Sequence, residues 1–449
     1  MHAYLDLVED VLTNGQYKEN RTAVDTISTF SQQYEIDVGD TYPLLTTKQM
    51  DTFRWDSMRR ELEWYLSGAH HIRELTKDTG IWDAWADDNG NLETAYGRFW
   101  RRFPVPDDEA HLPGEAWPGT DCPWVKKEHP LKITYRVSGD TEDAARNLAK
   151  TRLLKQCPDD LTLFPTNEAV EYDADQDLYT FEFLVSVQGT ATETQEVHQQ
   201  VRAALSGDVE PYSYKLEKTV HGPRSYLVYD QLGYIVDTLN GDNPNRSANS
   251  RRLMVTPWNP GNAGVSKLPP CHAFWGVNVQ GDSLNLHLTQ RSGDIALGVP
   301  FNIAAYTAIL KILADLTDFK VGTISHTIMD AHLYCGEGDR GAWYADNLPE
   351  LQERVQAAEN AEDYREIRSW ILNDAPEDTV TPPAEDTVDA SEHIYGGDHI
   401  PGLLEQLARD PYDKPTLAVD TTSLDEFTMD NIELQNYESH TGLKFGVAE

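Results

Sequence analysis

A cysteine follows two prolines in Leu268-Pro269-Pro270-Cys271-His272. Proline restricts φ and removes an N–H donor, so this backbone can hold a thiol in one place. An ordinary thiol has a pKa of about 8.5 and is only a few per cent thiolate at neutral pH; a neighbouring cation would raise that fraction. Downstream, Gln290-Arg291-Ser292-Gly293-Asp294 is followed closely by Leu297-Gly298-Val299-Pro300-Phe301-Asn302. Arg and Ser bind phosphate, whereas Asn offers a paired donor and acceptor that can read an amide-like ring edge. A helix N-terminus near Asn302 adds a favourable dipole. Arg251-Arg252 is a candidate anion site in so acidic a chain, and Arg21 in Asn20-Arg21-Thr22 is another. His332 and Tyr334 occupy alternate positions of an extended segment, so both face one side. Taken singly, each piece also has a plain reading: a small buried cysteine, a capped helix with a surface ion pair, solvated arginines, a structural histidine.

These residues need elements to position them. Helical spacing of Leu5, Val8 and Leu12 predicts a helix over 1–15, closed by Asn14-Gly15. Residues 27–37 alternate as a strand, and 53–67 form an amphipathic helix with Met58, Leu62, Tyr65 and Leu66. Trp82 to Gly90 is a loop rich in aromatics. The Pro/Gly/Asp-rich stretch near 106–125 marks a boundary. Beyond it, strand 131–137, a helix from Asp140 to about 155, strands 169–172 and 179–187, helix 190–205 and strand 212–220 give the order βαββαβ, the ferredoxin-like pattern. Strands follow over 270–290, and an apolar, buried helix over 303–318. The acidic 336–398 segment holds a helix at about 347–373 and a Pro/Thr/Asp/Glu-rich excursion at 375–392. Closing strands and a short tail occupy 415–449.

The 449 residues suggest two or three units. No apolar run reads as a membrane span of about 20 residues, and the start lacks a secretory signal. Cys122, Cys157, Cys271 and Cys335 are scattered, with no zinc spacing and no disulfide framework, which fits a reducing cytoplasm. The charge balance is 37 basic against 75 acidic residues, net −38. Such a surface repels nucleic acid and anionic lipid, and repels itself unless counterions screen it. A high-salt cytoplasm, as in a halophile, is the expected setting. An anionic substrate would then need a local basic island.

The pieces resemble the thymidylate synthases, the folate-dependent family, in order and wording. Tyr4-Leu5-Asp6-Leu7, Asn20-Arg21-Thr22, Tyr42-Pro43-Leu44-Leu45-Thr46-Thr47-Lys48, the Trp82/Trp85 loop, Ala95-Tyr96-Gly97, the Cys271 and Arg291 boxes, Asn302, His332-Leu333-Tyr334 and the tail Tyr437 to Ala448 match in register. The match covers roughly 1–105, 225–335 and 398–449. It fails across 122–222 and 336–397, which read as insertions.

The resemblance implies an α/β (α+β) mixed-sheet catalytic domain in three parts, 1–121, 223–335 and 398–449, carrying a ferredoxin-like unit at 122–222 and an acidic insertion at 336–397. It implies reductive methylation of dUMP to dTMP with 5,10-methylenetetrahydrofolate, leaving dihydrofolate. Cys271 would attack uracil C6. Arg291 would lower the thiol pKa and, with Arg21, Ser292 and the partner subunit's Arg251 and Arg252, hold the 5′-phosphate of a homodimer's substrate. Asn302 would read the pyrimidine, with His272 and Gln290 also at the substrate. His332 and Tyr334 would bind the ribose hydroxyl, Glu61 would organise water and proton transfer, and Tyr96 would assist loss of the C5 proton. Trp82, Trp85, Asp294, Lys48 and Ala448 would contact the folate. No metal is implied.

Four departures stand out: Gly293 where Cys or Ala is usual, Gln49 where Arg is common, Ala23-Val24-Asp25 in place of a Gly-rich loop, and a terminal Glu449 in place of an apolar residue. The rivals are a deoxyuridylate hydroxymethylase, which adds water instead of hydride, and a non-catalytic binding protein on the same scaffold. Trp82 favours reduction, Asn302 favours uracil over cytosine, and the intact set of Cys271, Arg291, Asn302 and Tyr96 argues against the binding protein.

Overall fold

The computed structural model describes residues 2–20, 23–77, 79–92, 95–105, 124–139, 141–155, 161–174, 176–188, 194–205, 208–211, 215–216, 219–220, 226–263, 266–380 and 393–447. Arg21 and Ala448 lie outside these residues, as do Cys122, Cys157, the expected helix cap Asp140 and most of the 375–392 excursion. The chain divides into two compact units: Met1–Glu63 with Ile235–Trp258 and Pro270–Glu449, and Trp64–Tyr234 with Asn259–Pro269.

The first unit is built on a seven-stranded mixed sheet. Its strands run in the order Gln16–Lys18, Val24–Asp37, Lys320–Glu337, Ser283–Gln290, His272–Gln280 and Met254–Val255, with Gly293–Asp294 paired to Lys320–Glu337. Ser283–Gln290 lies parallel to Lys320–Glu337. Parallel neighbours cannot be joined by a tight turn and need a long crossover. The helix Gly298–Thr317 supplies it.

That helix buries Ile303, Ala304, Tyr306, Ile309, Leu310 and Leu313. Burying one such aliphatic or aromatic side chain is worth about 1.5–3 kcal/mol. The helix starts five residues before the sequence spacing places it, because Pro300 fits a first turn where no N–H partner is needed. With 20 residues and a mean hydropathy of 1.4, it is long and apolar enough to cross a membrane, contrary to expectation. Its most apolar stretch is 78% buried inside the protein, as a core helix requires.

The single helix expected over 347–373 is two, Gly338–Gln356 and Ala361–Asp374. Asn360 breaks it: its side chain accepts from the Glu362 N–H, and the Asp363 carboxylate returns to the Asn360 N–H. This reciprocal cap starts a new helix.

The second unit holds a six-stranded sheet in the order Phe103–Val105, Tyr226–Tyr229, Val125–Val137, Leu178–Gln188 and Thr162–Asp173, with Asp208–Pro211 paired to Val125–Val137. Alternate residues Leu131, Ile133, Tyr135 and Val137 are buried together with Phe181, Phe183, Val185 and Val187. The helices Glu142–Lys155 and Thr194–Ala204 cover that face with Ala145, Ala149, Leu153, Val197 and Val201. These are the period-two and period-four patterns that sheet and helix demand. The strand expected at 212–220 is displaced: Asp208–Pro211 makes the sheet pairing, and among the described residues Lys215–Leu216 pairs with Thr219–Val220.

Candidate active site

In the first unit the hairpin of His272–Gln280 and Ser283–Gln290 brings its two ends together, pairing His272 with Gln290. Cys271 and Arg291 therefore lie side by side just beyond the pair. The Arg291 N–H donates to the Cys271 carbonyl at 2.8 Å, and its Nε donates to the Pro270 carbonyl at 2.9 Å. The Pro270 carbonyl thus serves as an acceptor that orients the guanidinium. Burial pushes the Cys271 thiol pKa up, and the Arg291 charge opposes that rise. The net shift is upward, so the arginine limits the penalty on the thiolate without abolishing it.

Gln290 is buried; its Nε2 donates to the Ser292 carbonyl at 2.8 Å, and its Oε1 meets His326 Nε2 at 2.9 Å. His326 Nδ1 in turn meets the Tyr34 hydroxyl at 2.6 Å. This chain of bonds crosses three strands beneath Ser292 and fixes the Gln290–Ser292 backbone. Burial, reinforced by the neighbouring histidines, depresses the His326 pKa to about 3, so the ring is neutral.

The short strand Gly293–Asp294 aligns with Ala331 and His332. Asp294 Oδ1 accepts from the Ala296 and Leu297 N–H groups at 2.9 and 3.2 Å, which shapes the entry to the helix Gly298–Thr317. Lys48 is almost wholly buried; its Nζ donates to the Ala296 carbonyl at 2.6 Å and lies 5.3 Å from the Phe445 ring centroid. Burial first, then the Arg54 charge, lowers the Lys48 pKa to about 7, while Asp294 opposes the fall.

Asn302 stands one turn into the same helix. Its Nδ2 lies 2.7 Å from His272 Nε2, and its Oδ1 is buried with no partner among the described residues. His332 and Tyr334 do face one side of their strand, their rings edge to face at 5.2 Å. Tyr334 also packs edge to face on His399, whose Nε2 meets the Gly446 carbonyl at 2.9 Å. Glu61 is buried on the helix Phe53–Ser67. Arg251 and Arg252 are exposed in a turn.

The second unit carries Tyr96, Trp82 and Trp85. Tyr96 begins the helix Tyr96–Arg101 and sits in an aromatic cluster, 5.3 Å from Tyr65, 6.0 Å from Trp82 and 6.5 Å from Trp100 between centroids. Trp82 further approaches Trp64 at 6.2 Å. Trp85 closes the short 3-10 turn Asp83–Trp85.

The structure thus groups Cys271, His272, Gln290, Arg291, Ser292, Asp294 and Asn302 through one hairpin and one helix start. The thymidylate synthase family model matches residues 2–137 and 192–449. The chain belongs to the thymidylate synthase family. It is 40% identical over 444 residues to a thymidylate synthase from Haloferax volcanii, covering 99% of this chain and 96% of that protein. Thymidylate synthases are methyltransferases, and that is the class of enzyme to which the chain belongs. The family match passes over 138–191 and runs unbroken through 336–397.

Sequence reasoning missed two residues beside this site. Tyr306 reads only as an apolar helix residue, although its i+4 spacing from Asn302 is a legible signal. His399 lies in a segment whose place beside Tyr334 no local pattern reveals.

Proposed function

We propose that the enzyme methylates dUMP to dTMP with 5,10-methylenetetrahydrofolate and releases dihydrofolate, using Cys271 as nucleophile. The observation that carries this reading is the adjacency of Cys271 and Arg291 at the ends of one hairpin. The Cys271 sulfur bonds to uracil C6, and the electron pair of the C5=C6 bond makes C5 an enolate-like carbon nucleophile. C5 bonds to the methylene carbon of the folate as that carbon's bond to N10 breaks. Loss of the C5 proton, assisted by Tyr96, expels N5 of the folate and leaves an exocyclic methylene on C5. Hydride transfer from the released tetrahydrofolate to that methylene gives the methyl group and dihydrofolate, the C6–S bond breaks, and the thiolate returns.

Arg291, Ser292, Arg21 and, from a partner subunit, Arg251 and Arg252 hold the 5′-phosphate; a planar guanidinium suits that anion. Asn302, with His272 and Gln290, addresses the base; His332 and Tyr334 address the ribose; Glu61 organises proton transfer. Asp294, Lys48, Trp82, Trp85 and Ala448 serve the folate. The exposure of Arg251 and Arg252 supports action in trans within a homodimer. Phe30, Met329 and Met254, exposed on strands of the large sheet at 83%, 49% and 51%, supply an apolar surface for such a partner.

The strand 125–137, helix, two strands, helix and strand 208–211 are read as a ferredoxin-like unit inserted at 122–222. Support comes from the strand order, in which the last strand flanks the first and the third lies between first and second, with antiparallel pairing throughout. The acidic 336–397 stretch is read as a second insertion. The net charge of −38 supports a cytoplasm of high salt. Incubation with dUMP and methylenetetrahydrofolate in molar KCl tests the activity: dTMP and dihydrofolate must form in equal amounts. Hydroxymethyl-dUMP without dihydrofolate would make the enzyme a hydroxymethylase, and no product would leave a binding protein.

A further inference from the structure

A side-chain amide presents opposite hydrogen-bond patterns in its two orientations, so the edge that Asn302 reads depends on which way round it is held. His272 holds it. Asn302 Nδ2 lies 2.7 Å from His272 Nε2, and Tyr306, one helical turn further on, places its hydroxyl 3.0 Å from His272 Nδ1. The His272 and Tyr306 rings meet edge to face at 5.1 Å and 79°. His272 is 5% exposed and Tyr306 1%. Burial lowers the His272 pKa to about 3, so the ring is neutral and carries one proton. An amide NH2 can only donate, so Nε2 accepts and the proton sits on Nδ1, where the Tyr306 oxygen receives it. One Asn302 Nδ2 hydrogen and the buried Oδ1, which has no partner among the described residues, remain as a donor–acceptor pair.

We propose that Tyr306 is a specificity-positioning residue: by accepting the His272 Nδ1 proton it holds the tautomer that keeps the Asn302 amide set for uracil and against cytosine. The proposal rests on the reading of dUMP as substrate. Uracil presents a C4 carbonyl beside an N3–H; the amide as held donates to the first and accepts from the second. Cytosine presents an amino group beside an N3 lone pair, and the same amide meets both with the wrong group. Accepting cytosine requires the amide to turn, which places Oδ1 opposite Nε2 and requires the proton there. Replacing Tyr306 by phenylalanine removes the hydroxyl that accepts from the buried Nδ1–H, which disfavours this tautomer by about tenfold or more. The ring then shifts its proton to Nε2, and the amide turns with it.

The test compares kcat/KM for dUMP and dCMP in the full-length enzyme and in Tyr306→Phe, with methylenetetrahydrofolate in molar KCl. The dUMP:dCMP ratio falls at least tenfold in the variant. An unchanged ratio, with both substrates slowed alike or neither slowed, overturns the proposal and leaves Tyr306 a packing residue. Nitrogen-15 NMR of the histidine side chains of the wild-type enzyme gives a second arm that needs no variant. The proposal requires the Nδ1–H tautomer at His272, and an Nε2–H tautomer refutes it. Absence of dUMP turnover by the wild-type enzyme overturns the substrate reading and the specificity role with it, whereas the tautomer measurement still reports on the hydrogen-bond chain.

Discussion

Removing either partner of the Arg102–Glu128 pair should cost the second unit about 3–5 kcal/mol, because the charge left behind stays buried. Arg102 is 3% exposed and Glu128 not at all. The Arg102 Nη2 donates to Glu128 Oε2 at 2.6 Å, and its Nε donates to Oε1. Ser186 and Gln188 donate to the same carboxylate, both at 2.7 Å. The guanidinium also lies 3.7 Å from the Phe164 ring centroid. The carboxylate therefore accepts from Arg102 twice and from Ser186 and Gln188, the last two within the stretch 122–222. Arg102 directly follows the helix that begins at Tyr96, so the pair ties this stretch to the element carrying a catalytic candidate. Glu128→Leu and Arg102→Met should each lower stability by that amount, whereas the double replacement should recover most of it. Urea unfolding in molar KCl, followed by circular dichroism, measures the cycle. Costs that simply add would refute the reasoning. The same contacts argue against excising 125–220 cleanly: that deletion strands Arg102 and removes the strand paired with Tyr226–Tyr229.

Three further outcomes follow from the same structure. Cys271→Ser should abolish turnover while dUMP binding, measured by calorimetry, stays largely intact; a substantial residual rate would contradict the nucleophile assignment. Thermal midpoints should rise steeply between dilute buffer and molar KCl, since the Debye length falls from about 30 Å at 0.01 M to about 3 Å at 1 M; a flat profile would leave the −38 charge without a role. His326, depressed from 6.5 to about 3 by burial, should make the fold acid-sensitive. Its contribution is complete above about pH 6.5, where both states are neutral, and is lost as pH falls toward 3, because the unfolded chain takes up the proton first. By about pH 4.5 that amounts to about 2–3 kcal/mol. His326→Gln should lose less stability than the parent between pH 7 and 4.5 in urea titrations, and an equal loss would count against the assignment.

The site was legible where chemistry and chain order coincide. Cys271, Arg291 and Asn302 stand in short local motifs, and the hairpin that joins their ends follows from two alternating runs and a turn. The amphipathic helices His2–Asn14 and Phe53–Ser67 were equally plain, because their apolar spacing is local. Tertiary polar pairing was not. Nothing in the wording around Arg102 or Glu128 announces a buried ion pair between positions this far apart in the chain, and Tyr306 is indistinguishable from its apolar neighbours until His272 is placed beside it. The break at Asn360 lay within reach, since Asn360 and Asp363 have capping-box spacing, but the run of helix formers on either side masked it. Strand 208–211 went unread because its pairing with 131–134 decides it, not its own pattern.

The central claim is that Cys271 adds to C6 of the uracil ring. The most direct measurement is intact-protein and peptide mass spectrometry after incubation with 5-fluoro-dUMP and methylenetetrahydrofolate in molar KCl. Fluorine at C5 cannot leave as a proton does, so the adduct stalls before the C6–S bond can break. The account predicts one stable covalent ternary adduct per chain, located on the peptide containing Cys271 and absent from Cys271→Ser. No adduct in an enzyme that turns over dUMP, or an adduct on another residue, would contradict it.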